Sequence, residues 1–456
     1  MHYETRLFTA PNHLISLGQG SAPLLGLSVI GLGRLGMVAA AVGAQLGHRV
    51  LGVDSDIGRI ERLAAGCSTF DEPGLDDALT DGHACDLIVA TTNILDAVLD
   101  SDVTLLCVEA SNLEDGSADL GVLEAAATEV GAALAFKSEY HLVVVRSTVP
   151  PGTTRSVVLR ALERTSGRTC GVDFGLCYQP DFLREGRALA DYFSPPYTVV
   201  GAVDERSATV ASSLHRGFEA PLHRTTLEAA EMAKYVHTAW GAVGSAFSHE
   251  VGRICQVNGI DGNDVMHLFS REKWDVLREG ARPGFAFGSS AVPRDLRVLT
   301  GLAHGSGIDV PLIDSVLRSN DSHIDHAYRR IVESGANRIG FLGMGYEDGT
   351  ADLSESPQID LLGRLLESGC RVLAHDRSVD TPTSGIGARR LRAASPSTRV
   401  ALQMLPDLLT DTPEELVSAC DLIVVSRDTS QFAAALAARP ATHAVIDLAN
   451  LSRDEQ

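Results

Sequence analysis

The first chemistry in this chain is a turn of glycines. Gly31, Gly33 and Gly36 stand in the order G-x-G-x-x-G, with Leu32, Arg34 and Leu35 between them. An apolar run precedes the turn and a helical pattern follows it, which is the context that lets backbone amides approach a pyrophosphate at a helix N-terminus. Asp54 closes the next apolar run, 18 residues beyond Gly36. An acid there binds adenosine ribose hydroxyls and repels a 2′-phosphate, so the pattern favours NAD; Arg59, five residues on, leaves NADP open. A second kind of chemistry is open to a lysine. Only Lys137, Lys234 and Lys273 are lysines, and the other 35 of 38 basic residues are arginines. Arginine stays charged near neutral pH, whereas a buried lysine can exchange a proton. Thr238 lies one helical turn beyond Lys234 and shares its face, and Glu231 at i−3 lies near enough to tune the amine.

These residues need elements to hold them. Leu27–Ile30, Val50–Val53, Val103–Cys107 and Leu142–Val145 read as buried strands, with Leu35–Leu46 a helix and Tyr197–Val200 closing this part of the sheet. From Thr226 to Asn258 the sequence has no proline and predicts one helix of about nine turns. Helices continue to about Arg330. After Asn337 the alternation resumes with Ile339–Gly343, Arg371–Ala374, Leu422–Val425 and Ala444–Asp447. The plan is α/β with a parallel, doubly wound sheet, then helical, then a second, smaller α/β domain, and a helix this long joins domains or builds a subunit interface. We place an N-terminal extension at 1–26, an NAD-binding Rossmann domain at 27–220, a central helical domain at 221–330 and a second α/β domain at 331–456. Gly343-Met344-Gly345 lacks a third glycine and reads as a contact to substrate or cofactor, not a second complete dinucleotide site.

Composition sets limits on the partners. In 456 residues, 59 acids against 38 bases give a net charge of −21, which argues against nucleic acid and against anionic membrane surfaces. No apolar run is long enough to span a bilayer. The eight cysteines form no C-x-x-C pair and read as reduced core residues, so a cytoplasmic protein without a metal site is expected.

Six segments then fall in order: the glycine turn, "RSTVPPGTT" at 146–154, "QPDFLREG" at 179–186, "EMAKY" at 231–235, "ARPGFAFGSSAVPRDL" at 281–296 and "FLGMGYEDGTADLSESP" at 341–357. Together they resemble the UDP-glucose/GDP-mannose dehydrogenase family, and "RPGFAFG" with "SPPYTVVG" at 194–201 resembles its GDP-mannose 6-dehydrogenases most. The resemblance implies an α/β fold of two Rossmann-like doubly wound domains joined by a long central helix and a helical dimerisation domain, with 331–456 binding the nucleotide sugar. It implies a homodimer, NAD as cofactor, and oxidation of a nucleotide-sugar CH2OH to a carboxylate through a cysteine thiohemiacetal. It also assigns residues. Ser147 and Thr148 would line the cofactor and reacting centre. Asp181, Phe182, Leu183, Arg184 and Lys234 would bind the substrate, as would Phe285, Phe287, Gly288 and Arg282, the arginine reaching the substrate's phosphate, in some members from the neighbouring subunit. Lys234, Asp295, Thr148, Glu185 and Thr238 would serve the chemistry. An exposed helix lysine, solvated loop acids and a helix cap for Asp295 are the plainer alternatives.

The family's nucleophile segment, G-G-S-C-x-x-K-D, stands here as Gly288 to Asp295 with Ala291 at the cysteine position. A methyl group cannot attack an aldehyde, and Ser290 has no adjacent base to activate it. Thr238 replaces the oxyanion asparagine, so the first hydride transfer reads as retained and the second as lost. One oxidation of a secondary alcohol at C6 gives a ketone, which calls for a sugar longer than a hexose. A GDP-octose fits, and lincosamide antibiotic assembly is a setting where such a sugar is oxidised at C6. Gly241 and Gly244 stand where relatives carry larger polar side chains and would make room for the extra carbons, and His249 replaces an expected asparagine. Glu109 departs from the family's C-V-G-T-P segment. Glu347 and Ser354 stand for a lysine and an arginine, which weakens anion binding there. A catalytically inactive nucleotide-binding scaffold is the competing class, and a 6-phosphogluconate-type dehydrogenase a third.

Overall fold

The computed structural model describes residues 24–448, apart from 71, 110, 113–117, 185, 216, 271–282, 290, 346–352, 354, 378, 380–394, 428–429 and 441. Four of the residues singled out above, Glu185, Arg282, Glu347 and Ser354, lie outside the described set, as does Ser290. The chain divides into two compact units, Met1–Val236 and His237–Gln456.

In the first unit, β1 (Gly26–Ile30), β2 (Arg49–Val53), β3 (Ile88–Thr91) and β4 (Val103–Leu106) form one half of a sheet. A small antiparallel pair, β5 (Ser111–Asn112) and β6 (Ala118–Asp119), intervenes. The sheet continues with β7 (His141–Val145), β8 (Phe174–Tyr178), β9 (Thr198–Ala202) and β10 (Leu222–Thr225). Its order is β10-β9-β8-β7-β4-β1-β2-β3. The segment β3-β2-β1-β4-β7-β8 is the doubly wound arrangement, with the chain reversing direction of growth between β1 and β4. The strand expected at Tyr197–Val200 is β9, but it does not close the sheet: β10 lies outside it, and β9 runs antiparallel to β8. An antiparallel neighbour needs no long crossover over the sheet face.

Alternate residues of each strand enter different cores. Val29, Val50, Leu105 and Val144 pack into a cluster with the helix Arg34–Gln45. Ile30, Leu51, Leu106 and Val143 pack on the other face with the helix Gly121–Leu134. Both faces are covered, which is why these strands are apolar throughout. The exception is a buried polar chain. Ser28, Thr104 and His141 are hydrogen-bonded in series across β1, β4 and β7 (2.7 Å for each link). Beside it Lys137 donates to the carbonyls of Val98, Leu99 and Ser101, ending the helix Ile94–Leu99.

The long helix forms as its pattern predicts, Leu227–Val257. In the second unit β11 (Arg338–Leu342), β12 (Arg371–His375), β13 (Leu422–Val425) and β14 (Ala444–Asp447) make a parallel sheet ordered β12-β11-β13-β14. All four strands match the sequence expectation. Helices Val292–Gly305 and Pro311–Glu333 complete the part of this unit that matters below. Among the described residues no helix is long and apolar enough to cross a membrane.

Candidate functional site

At the end of β1 the chain turns through Gly31, whose φ is +94°. A Cβ there would sit 2.8 Å from the amide nitrogen of Val108, so no side chain fits. A Cβ at Gly36 would lie 1.8 Å from the Gly31 carbonyl oxygen, so only glycine lets the helix Arg34–Gln45 begin this close to the strand. Gly33 precedes that helix without a side-chain cap, which leaves its first N–H groups for an anion. This cradle, which a Cβ would fill, fits a dinucleotide pyrophosphate.

Asp54 ends β2 almost buried. Its Oδ2 accepts from the Leu32 N–H at 2.7 Å and its Oδ1 from the Asp56 N–H at 2.9 Å. Arg59 pairs with the same carboxylate at 3.2 Å. One acid therefore shapes the glycine turn and engages the cation that could have favoured a 2′-phosphate. Arg34 points to Glu72 (3.3 Å) and lies over the Phe70 ring. Leu35 packs at the edge of the first core. The buried Glu72 carboxylate also accepts from the N–H groups of Gly186 and Ala188. It thus ties the glycine turn's helix to the segment that follows Arg184. Nothing in the residues around Glu72 announces this role.

Beyond β7, Ser147 is buried, and its N–H and hydroxyl both donate to the Leu106 carbonyl. Thr148 follows, half-buried. Lys234 donates from Nζ to the Asp181 carbonyl at 2.7 Å and pairs with its carboxylate at 3.4 Å. The lysine side chain is only 12% exposed, so the exposed-lysine alternative does not hold. Phe182 packs on Tyr197 with ring centroids 5.2 Å apart, and Leu183 is partly buried against the first core. Arg184 forms a forked pair with Asp191 that closes its own turn. Glu231 corrects an expectation. It is fully buried and accepts from the N–H groups of Gly152 and Thr154, so its charge is spent on the loop after Ser147 and not on the lysine amine.

In the second unit Thr238 donates to Asp295 at 3.1 Å, and Arg294 pairs with the other oxygen at 2.9 Å. Asp295 is 1% exposed and sits in the first turn of its helix, so it is not a cap: both its oxygens point to side chains. Ala291 directly precedes this helix. Phe285 and Phe287 are core residues, packed in two apolar clusters of this unit. Buried Asn320 fixes that backbone by bonding both the N–H and the C=O of Phe287. Gly288 packs against Glu355 and Pro357, where a Cβ would come within 2.6 Å of both, and joins two of the motif segments.

The second unit also repeats the glycine-turn geometry. Gly343 has φ +93° and donates to the His375 carbonyl, as Gly31 donates to Val53. The Met344 N–H donates to Asp376 at 2.7 Å, the distance at which the Leu32 N–H meets Asp54. Here, however, the acid is locked at 2.6 Å by Arg427, itself buried. The two strands and the glycines were legible in the sequence; the roles of Asp376 and Arg427 were not.

Comparison with known proteins decides the family. Residues 26–219 match the NAD binding domain of the UDP-glucose/GDP-mannose dehydrogenase family, 228–322 its central domain and 340–454 its UDP binding domain. The chain belongs to the UDP-glucose/GDP-mannose dehydrogenase family. It is 36% identical to GDP-mannose 6-dehydrogenase of Pseudomonas aeruginosa over 92% of this chain and 96% of that one. It is 31% identical to a UDP-glucose 6-dehydrogenase of Haloferax volcanii, over 90% and 92%. Among solved structures, a UDP-glucose dehydrogenase from Pyrobaculum islandicum superposes with a TM-score of 0.84 at 30% identity, covering 97% of this chain and 96% of that one. A ternary complex of the Pseudomonas aeruginosa GDP-mannose dehydrogenase matches at 36% identity with a TM-score of 0.55, over 93% and 96%. This member of the dehydrogenase family is thus an NAD-dependent oxidoreductase with a nucleotide-sugar-binding C-terminal domain. The glycine cradle and Asp54 are the residues that fit its cofactor.

Proposed function

We propose that this dehydrogenase carries out one two-electron oxidation, converting a secondary alcohol at C6 of a GDP-linked sugar to a ketone. The observation that carries the reading is Ala291. It stands directly before the helix of Asp295, where the family segment calls for the nucleophilic cysteine, while Lys234 and Asp295 are both present and held by partners. NAD, when bound, accepts the hydride. Lys234 takes the hydroxyl proton, its amine aimed by the Asp181 carbonyl and carboxylate. Thr238 and Arg294 hold both oxygens of Asp295 in one orientation in a nearly dry place. Ser147, Thr148 and the segment around Phe182 supply walls, and Glu185 and Arg282 are carried as substrate contacts from the family pattern. A methyl group at 291 forms no thiohemiacetal, so no second hydride leaves. The ketone does not need that step, whereas an aldehyde left by a primary alcohol would.

The identity to proteins named GDP-mannose 6-dehydrogenase supports GDP over UDP. Gly241 and Gly244 offer space for carbons beyond a hexose, and a GDP-octose of the kind used in lincosamide assembly is the substrate we put forward. We also propose a homodimer in the cytoplasm. Met232, Val236, Trp240, Phe247 and Ile254 recur at spacings of four and seven along the long helix and are exposed, Ile254 to 62%. A second copy laid along this stripe would cover it.

The test counts NADH per sugar with GDP-mannose and with a GDP-octose bearing a secondary C6 alcohol. One NADH and a ketone are expected from the octose. Two NADH and an acid would refute the argument from Ala291, and failure to bind NAD or turn over either sugar would leave the scaffold reading. Sedimentation of wild type and Trp240→Asp tests the dimer, which the charge should split.

A further inference from the structure

We infer that Glu231 is a positioning residue: it clamps the loop carrying Ser147 and Thr148 to the helix that carries Lys234. The inference rests on the proposed roles of Lys234 and Thr148 and adds the part that holds them in register.

The geometry is specific. Glu231 is 0% exposed. Its Oε2 accepts from the Gly152 N–H at 2.5 Å and its Oε1 from the Thr154 N–H at 2.7 Å. Gly152 has φ +90°, a conformation that glycine alone adopts without strain, and a Cβ there would meet nothing. The glycine is therefore needed for the direction of the turn and not for space. Thr154 opens a π-helical stretch, Thr154–Leu159, that continues as the helix Arg160–Ser166. The first N–H groups of such a segment have no partner within it, and a carboxylate from another element satisfies them.

Both ends of the loop are thereby fixed. Ser147 is bonded to the Leu106 carbonyl at the end of β4, and Gly152 and Thr154 are bonded to Glu231. Thr148 lies between these anchors. The far anchor is itself immobile, because Leu227 and Ala230 on the same helix turn are fully buried in the second core. Glu228 adds an outer clip to Arg155 at 2.7 Å. Lys234 follows Glu231 by three residues on that rigid helix.

A bland packing role accounts poorly for the choice of residue. Burial pushes the Glu231 carboxyl pKa up, and only its hydrogen bonds to the loop oppose that. Water could satisfy the half-buried Gly152 N–H at no such cost, but Thr154 is fully buried and its N–H needs a partner from the protein. A buried acid ties the loop to one place on the helix, and reacting groups displaced by about 1 Å can lose on the order of 100-fold in rate.

The experiment compares wild type with Glu231→Gln, Glu231→Asp and Glu231→Ala in three measurements. They are hydrogen exchange at Gly152 and Thr154, NAD binding by fluorescence, and kcat and KM with NAD and the GDP-sugar. Gln keeps one acceptor and sets an amide against the other N–H; Asp keeps the charge but is one methylene short. Faster exchange is expected in all three. With it should come a fall in kcat of about 10- to 100-fold and NAD affinity within about threefold of wild type. Should Ala fail to fold, Gln and Asp carry the test. Unchanged exchange would show that Glu231 does not hold the loop. Faster exchange with wild-type kcat would show that the clamp has no bearing on the reaction. If wild type itself turns over no nucleotide sugar, the functional reading fails, and exchange still decides the clamp.

Discussion

Asp54 offers a quantitative test of the cofactor site. Replacing it with alanine removes the acceptor for the Leu32 N–H, a 2.7 Å charge-assisted bond at the glycine turn. Such a bond contributes about 1.5–3 kcal/mol, and the donor it leaves behind faces the cofactor cradle. The 3.2 Å pair with Arg59 adds less, about 0–1 kcal/mol, because the arginine side chain is 36% exposed and solvent screens it. At about 1.4 kcal/mol per tenfold, Asp54→Ala should weaken NAD binding by roughly 10- to 150-fold. Asp54→Asn keeps an oxygen for Leu32 and loses only the charge, so its loss should be several-fold smaller. Both changes release Arg59, and both should raise the affinity for NADP relative to NAD. Calorimetric titration of wild type and the two variants with each cofactor measures this, with thermal unfolding as the control for folding. A folded Asp54→Ala protein that binds NAD within about twofold of wild type would refute the reasoning. So would an unchanged NADP-to-NAD ratio.

Lys137→Met should lower stability by about 2–4 kcal/mol in chemical denaturation, because three carbonyls, those of Val98 and Ser101 in buried bonds, lose one ammonium donor, while NAD affinity stays at the wild-type value. Lys137→Arg should not restore it, since a planar fork cannot converge on three carbonyls as a tetrahedral ammonium does. Acid should destabilise the protein through its buried histidines. Burial, and then the charge of Lys137, pushes the His141 pKa down to about 3, and burial with the neighbouring His323 pushes His249 down to about 3. The unfolded state takes up these protons first, near pH 6.5, so each contribution is present above that pH and is lost as pH falls toward the folded value. By pH 5 the loss is about 2 kcal/mol per histidine, and urea midpoints at pH 7 and pH 5 that coincide would contradict it.

Much of this protein was decided locally. The glycines that turn after β1 need a positive φ and an absent Cβ, so their residue type states their geometry. The nine-turn helix and all four strands of the second sheet follow from apolar period and length, and Asp54 follows from its place at the end of a strand. The missing thiol at Ala291 is also a fact of the sequence alone, because it concerns an atom that no fold can supply. Other roles depend on residues far apart in the chain. Phe287 and Phe285 looked like a substrate-facing aromatic pair and are core, since only packing against Ala239, Leu296 and Ile324 decides what an aromatic run faces. Glu231, three residues from Lys234, seemed placed to tune it; its carboxylate reaches Gly152 and Thr154, 77 to 79 residues away, instead. Glu72 bonds partners 114 and 116 residues distant, and Lys137 lies in no motif because it serves backbone carbonyls, which every residue type carries. Residue types and short spacings fixed which reactions are open to this chain. Where each buried charge finds its partner was left to the tertiary structure, because hydrogen bonds to distant backbone leave no pattern in the sequence that makes them.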